Sequence, residues 1–506
     1  MNRRGFITTT ALAAGGLSFL PSFAYKLDNE AGITLNSPMN TKVRLKILND
    51  GLLHEDAWEG SCRTGLLEDL TFEAERDRLL KRMQHLKETL KALQIPQEVE
   101  LLDPVTIHSW VEKGNPDIML NDDQLDLLAR DNEVTDLYVV SSPFIGYRIA
   151  KRFGKPVCIM QPAGWGVDGP AGIRSLGIDS FHANNWEELF HGTRLMMARK
   201  AFANTKLLNV TNFSDRVPYG VVSGITNMDI LKSKYGMDCE FIDYREFFSH
   251  MDRVESDMAM VKLSEKLAED LLEKAFSSDM TRDNIAKSVL FYIATAKMMQ
   301  KYGCNAFTIE CFELCSSLNP WNRKFTPCLT HSLLKDNGIP SACEGDINAL
   351  LAMMVQMYLS NKAIYMGNPN VDKDNNILTL HHSVASLRMF GIDQNPSPYY
   401  IHSFMRAGYG ATLRHPFIEH AGEKMTVGRF DPSGTKIMIS SGEVTGGSGI
   451  SGFGCSQNVE MQIPNGRAFW KASQDYGHHF AFVYGDYTNQ IEDLGPLMGF
   501  EVENIK

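Results

Sequence analysis

The sequence predicts an α/β protein: two Rossmann-like parallel-sheet α/β domains followed by a smaller β-rich C-terminal domain. Three observations predict it. From about residue 43, short apolar runs alternate with amphipathic helical stretches, which is the pattern of parallel strands covered by helices on both faces. A second series of the same kind starts near residue 175, and beyond about residue 346 short β segments and tight turns take over. A chain of 506 residues has room for about three domains at roughly 100–200 residues each. The reading places them at 43–174, 175–345 and 346–506, after a leader at 1–24.

The leader comes first. Arg3 and Arg4 precede a short apolar stretch from Ala11 to Leu20, and Ser22 and Ala24 supply small residues for cleavage. A basic start, a short apolar region and a small-x-small site make a secretory signal, too short to span a bilayer. The paired arginines resemble the twin-arginine type, which exports folded proteins. The mature chain is expected to begin near Tyr25 and to work in the periplasm, without stable membrane insertion.

Arg44–Leu48 reads as the first strand and Phe72–Leu93 as a long helix, with Leu79, Leu80, Met83, Leu86, Leu90 and Leu93 at helical spacing. Leu137–Val140 is a strand, Ile145–Phe153 a helix, and Lys155–Met160 the next strand. In the second series Trp186–Phe202 is helical and Lys206–Val210 extended. A helix over Met228–Tyr235 is expected to end at Gly236. Strands follow at Cys239–Ile242, Ala306–Ile309 and Pro340–Cys343, with long helices at about 257–275 and 282–302. In the last third, Met425–Phe430 and Thr435–Ile439 flank the turn Asp431-Pro432-Ser433-Gly434, a hairpin. The stretch Thr445–Gly454 is glycine-rich but lacks the Lys-Ser/Thr ending of a phosphate loop; it reads as a flexible loop near the site.

The formal net charge is −11, which argues against a basic grip on nucleic acid or anionic lipid. Nine cysteines form an odd set with no CxxC pair, so a cysteine zinc site is not expected and the thiols read as buried and reduced. Neither GxSxG nor HExxH is present, which leaves serine hydrolase and zincin readings without support.

The chemistry concentrates in 327–391. Pro340-Ser341-Ala342-Cys343 is a buried strand that ends in Glu344, Gly345 and Asp346, and strand ends are where ligand crevices form in open α/β sheets. A carboxylate there needs a cation, a metal or a helix N-terminus; Asp346 could simply cap the helix that follows. A second polar strand end arrives at Asn368 and a third at His381 and His382. Oxygen and imidazole donors of this kind suit Mn²⁺ or a similar divalent ion. Adjacent strand residues face opposite ways, so one histidine of the pair faces the site, and His381 is the one expected there.

These segments resemble the metal-binding region of the L-fucose/L-arabinose isomerase-like family. The resemblance rests on Pro327-Cys328-Leu329, Gly338-Ile339-Pro340, Cys343-Glu344-Gly345-Asp346, the strand ending at Asn368, and His381, with the late stretch Gly477-His478-His479 to Gly485-Asp486. It implies a sugar isomerase of carbohydrate metabolism, a trimer or hexamer acting on a small-molecule sugar with Mn²⁺ or a similar cation. It implies Glu344, Asn368, His381 and His479 as metal ligands, with His478 as the alternative to His479. Glu344 and Asp346 are the implied catalytic carboxylates. In such chemistry a divalent ion stabilises the enediol-like intermediate, and a carboxylate moves the carbon-bound proton between C1 and C2; Glu344 is the expected base. Asn368 stands where the family has an acid, and an amide is no base at neutral pH. Glu310, Glu313, Asp346 and Asp372 are substitutes. His381-His382-Ser383 also departs from the family's His-Cys-Thr. The alternatives are a carbohydrate-binding protein that has lost turnover, or a lyase or epimerase using the same intermediate.

Overall fold

The computed structural model describes residues 23–60, 63–115, 117–161, 164–212 and 224–506. The predicted leader lies, up to residue 22, outside the described residues. No helix among those described is long and apolar enough to cross a membrane.

The first sheet holds β1 (Val43–His54), β2 (Val99–Val111), β3 (Leu137–Val140), β4 (Val157–Met160) and β5 (Ser180–Ala183). All its pairings are parallel, in the order β2-β1-β3-β4-β5. Every residue of Leu137-Tyr138-Val139-Val140 is buried, as expected of a central parallel strand. The long helix forms at Phe72–Ala92, with the Thr71 hydroxyl accepting from Ala74 N and acids in its first turn. It covers the sheet only partly: Leu79 is buried over Gly51, while Leu80 points to solvent. Sequence reading missed β2, because Asp103-Pro104 interrupts its pattern. The register shifts between Lys46 and Leu48 at that point, so the proline sits in a bulge of an edge strand, where no ladder donor is needed.

The second sheet holds β6 (Lys206–Val210) and β7 (Asp238–Ile242) and, beyond the two-residue β8 (Ser277–Ser278), β9 (Ala306–Ile309) and β10 (Ser341–Cys343). Its order is β10-β9-β6-β7, again parallel throughout. Helices Tyr244–Ser256, Met258–Lys274 and Arg282–Tyr302 share one apolar core with it. The helix expected at Met228–Tyr235 is shorter, Asp229–Ser233; the chain turns through Gly236 at φ +70°, which favours glycine.

The rest is β-rich: β11 (Tyr365–Asp372), β12 (Ile377–His381), β13 (Tyr400–Met405), β14 (Tyr409–Arg414), β15 (Lys424–Phe430), β16 (Lys436–Ser448), β17 (Asn458–Gln462), β18 (Phe480–Tyr484) and β19 (Glu501–Asn504). The expected hairpin is present as β15 and β16. Its pairing also closes the run β15-β18-β11-β12-β17-β16 on itself, with β19 added beside β16. Closure removes the free edges. Tyr365, Leu378, Leu380, Val427, Val459, Met461 and Phe482 belong to one buried cluster, the filling of this small barrel. The glycine-rich stretch is partly strand: β16 runs to Ser448, and only the residues beyond it form a loop.

Helix Ile347–Ser360 connects sheet and barrel. Its residues from Ile347 to Leu359 are all buried and, apart from Asn348 and Gln356, almost all apolar, as a helix enclosed on every side should be. It shares a core with the Trp186–Ala203 helix and with Ala481 and Val483 of β18. This contact sets the end of β10 against the start of β18.

Candidate active site

The turn after β10 is unusual. Glu344 has φ +62° and Gly345 φ +67°. The left-handed region is costly for a residue with a Cβ, so tertiary contacts must hold Glu344 there. Gly345 N donates to Ile309 O (3.0 Å), tying the turn to the end of β9. Asp346 closes it: Oδ1 accepts from Ala349 N (2.9 Å) and caps the buried helix. Its Oδ2 takes Arg429 Nη1 at 2.7 Å and His479 Nδ1 at 3.0 Å. Asp346, Arg429 and His479 are fully buried.

His479 immediately precedes β18 and is itself left-handed, at φ +68°. With Nδ1 held by Asp346, its Nε2 stands 3.4 Å from Glu344 Oε2. His478 Nε2 is 3.8 Å from the same oxygen. His382 Nε2 stands 3.5 Å from the other oxygen, Oε1. Its Nδ1 is 4.0 Å from Cys455 Sγ, a residue of the loop after β16. The His382 and His479 rings meet edge-on at 5.2 Å.

The electrostatics follow from this packing. Burial pushes the Glu344 carboxyl up, but His382, His478 and His479 outweigh it and hold the group well below the usual carboxylate range. Burial likewise raises Asp346, and Arg429 with His479 brings it down to about 2. Burial lowers His479 to about 4 against the pull of both carboxylates. His382 goes the other way: burial lowers it, but Cys455 and Glu344 raise it to about 10.

Of the residues singled out in the sequence, Glu344, Asp346 and His479 are brought together, with His478 beside them. Asn368 lies in β11 on the sheet face of Met366, whose Sδ accepts from Cys343 N at 3.4 Å. Its Oδ1 is buried and has no hydrogen-bond partner among the described residues. His381 needs a correction: the histidine beside Glu344 is His382. β12 ends at His381, which stays in register between Asn368 and Asn458. His382 N then donates to Gln457 O (2.9 Å), and its ring is fully buried against Glu344. Of the substitute acids, Glu310 ends β9 and caps the helix Cys311–Ser316. Glu313 accepts from Asn212 N at 3.2 Å, and Asp372 sits in an exposed turn with Asn375. Sequence reading missed Arg429 and Cys455. An arginine inside the apolar-alternating strand Met425–Phe430 was the available signal for the first; Cys455 carried none.

The site fits a divalent cation. His382 Nε2, His479 Nε2 and Asn368 Oδ1 are buried and lack hydrogen-bond partners among the described residues, and buried polar atoms normally have one. The spacings of 3.4–3.8 Å to Glu344 are long for hydrogen bonds. Ligands bound at about 2.1 Å to one ion stand roughly 3–3.5 Å apart, and the ligand atoms of Glu344, His478 and His479, like those of Cys343, Glu344 and His382, lie within 4.8 Å of one another.

No protein-family model matches the chain. Among curated proteins, the sulfoquinovose isomerases of Priestia aryabhattai and Priestia megaterium (strain ATCC 12872 / QMB1551) are each 23% identical over 327 residues, 63% of this chain and 68% of theirs. That of Alkalicoccus urumqiensis is 23% identical over 312 residues, 60% of this chain and 66% of its own. Among solved structures, an ABC transporter periplasmic solute-binding protein from Actinobacillus succinogenes 130z with bound D-allose aligns over 63% of this chain and 92% of its own, at 10% identity and a TM-score of 0.13, too low to carry an argument. The chain is thus homologous to sugar isomerases, as its motifs anticipate, and the enzyme class this homology supports is the aldose–ketose isomerase, an intramolecular oxidoreductase.

Proposed function

We propose that the chain isomerises an aldose and its ketose by proton transfer through an enediol intermediate, with a divalent cation bound at Glu344. One observation carries the reading: three imidazoles converge on a single strained carboxylate, and two of them, His382 and His479, leave Nε2 buried without a hydrogen-bond partner among the described residues.

Glu344, His478 and His479, whose ligand atoms lie within 4.8 Å of one another, would hold the ion. When bound, it supplies Lewis-acid stabilisation of the negative charge that develops on the sugar oxygens. Glu344 removes the proton from the carbon beside the carbonyl and returns it to the neighbouring carbon. Asp346 positions: it fixes the His479 tautomer through Nδ1 and so presents Nε2. Glu310, buried at the adjacent strand end, is the carboxyl that can shuttle the hydroxyl proton in place of the acid that Asn368 lacks.

The first sugar to assay is sulfoquinovose, named for the relatives, beside aldoses without a sulfonate. Export by the twin-arginine route and assembly into a trimer or hexamer belong to the same proposal; fractionation of the full chain and its solution mass test them. The decisive experiment is metal content and turnover of the purified protein beside Glu344→Gln. Conversion that needs an added divalent cation and disappears in the variant supports the reading. A protein that binds no cation and converts no sugar would refute it, and leave a carbohydrate-binding role.

A further inference from the structure

The Glu344 carboxylate is met from two sides. Oε2 faces His478 and His479, at 3.8 and 3.4 Å, while Oε1 faces His382 at 3.5 Å. On the His382 side there is also sulfur: Cys343 Sγ, a Glu344 oxygen and a His382 nitrogen all lie within 4.8 Å of one another. A separate group, Glu344 with His478 and His479, meets the same spacing. The two groups share only Glu344. His382 Nε2 is buried, aimed at Glu344, and without a hydrogen-bond partner among the described residues.

We propose that Glu344 bridges two cation positions, and that the second, formed by Cys343 Sγ, Glu344 Oε1 and His382 Nε2, takes a thiophilic divalent cation of the zinc kind. The donor sets differ in softness. The position towards His478 and His479 offers nitrogen and oxygen alone; the other adds a thiolate, which selects zinc-like ions over manganese- or magnesium-like ones. Three protein ligands and an open fourth position are a common zinc arrangement. Zinc binds sulfur at about 2.3 Å and nitrogen or oxygen at about 2.1 Å, so its tetrahedral ligands stand roughly 3.3–3.7 Å apart, and the triad reaches that by modest side-chain rotation. The cation takes the place of the Cys343 thiol proton, which leaves to solvent, and no redox change is involved. Cys455, against the Nδ1 edge of His382, positions that ring. With both oxygens of Glu344 engaged, the carboxylate cannot accept a carbon-bound proton. Excess zinc therefore inhibits the isomerase that the first position activates.

The proposal rests on Glu344 as a metal ligand, and the test separates the two. The full chain is stripped of metal, then titrated with Zn²⁺ and with Co²⁺. Two equivalents are expected, with one sulfur at about 2.3 Å in zinc X-ray absorption and a thiolate-to-cobalt charge-transfer band. Cys343→Ser should lose the sulfur signal and one equivalent; Cys455→Ser and His478→Gln should keep the sulfur. Should Cys343→Ser fail to fold, the wild-type absorption spectrum and His382→Gln, which should lose the sulfur-bearing equivalent, carry the test. A single equivalent with nitrogen and oxygen alone, abolished by Glu344→Gln, overturns this inference and leaves the proposed function standing. A sulfur signal that survives Cys343→Ser overturns it as well. No cation bound at all overturns both.

Discussion

Glu344 and His479 stand 3.4 Å apart, and both hold left-handed backbone, at φ +62° and +68°. One ends the β10 turn and the other immediately precedes β18, so a contact between sheet and barrel is made by two residues in costly conformations. Strain of this kind persists where surrounding contacts over-determine it, and it clusters at functional sites. Here the contacts are visible: Asp346 caps the buried helix and holds His479 at once.

Glu344→Gly should be more stable than Glu344→Ala by about 1 kcal/mol, because only glycine occupies φ +62° without a Cβ penalty. Both should lose isomerisation by at least about 10²-fold, as expected for a positioned general base. Denaturant midpoints beside turnover check this. An alanine variant as stable as the glycine one would remove the argument from strain.

Asp346→Asn should destabilise the fold by about 3–5 kcal/mol, since it removes the carboxylate from its buried pair with Arg429. Arg429→Met alone should cost less, because Asp346 keeps its cap and its His479 contact. The double variant should cost less than the sum of the two, as contacting residues do. A strictly additive double-mutant cycle would show that the two side chains do not act as a pair.

His382→Ala should weaken cation binding by at least about 10–100-fold, the range seen even for outer-shell changes at metal sites. His381→Ala should change it far less. Calorimetric titration of both variants decides which histidine of the pair serves the site; equal losses would mean that both do.

The α/β order was legible because buried parallel strands read as apolar runs: Leu137–Val140, Lys206–Val210 and Ala306–Ile309 are strands with the bounds that their patterns set. Barrel closure was not, since β18 pairs with β11 and β15 across long stretches of chain and alternation names no partner. Glu344, Asp346 and His479 were legible as a set only through the family resemblance. His381 was the expected histidine while His382 is the one beside Glu344, a shift of one residue, because where a strand gives way to its loop is not written in the side chains. Cys343 and Cys455 looked like ordinary buried thiols; the end of β10 sets the first beside His382, and the loop after β16 sets the second there.

A histidine away from Glu344 sets the last prediction. His415 is buried and its Nε2–H donates to Ser386 O, and burial lowers its pKa from 6.5 to about 4. Between those values the unfolded chain binds a proton that the folded one does not, so stability rises with pH across this window. As pH falls from 6.5 towards 4, His415 should therefore withdraw up to about 3 kcal/mol, at 1.36 kcal/mol per unit. His331, also buried and held well below its usual pKa by burial, acts in the same sense. His415→Gln should then lose less stability than the wild type between pH 7 and pH 4.5, by about 2 kcal/mol, with part of the slope left to His331. Urea unfolding of both proteins at the two pH values measures this. Identical losses would mean that His415 titrates alike in the folded and the unfolded chain.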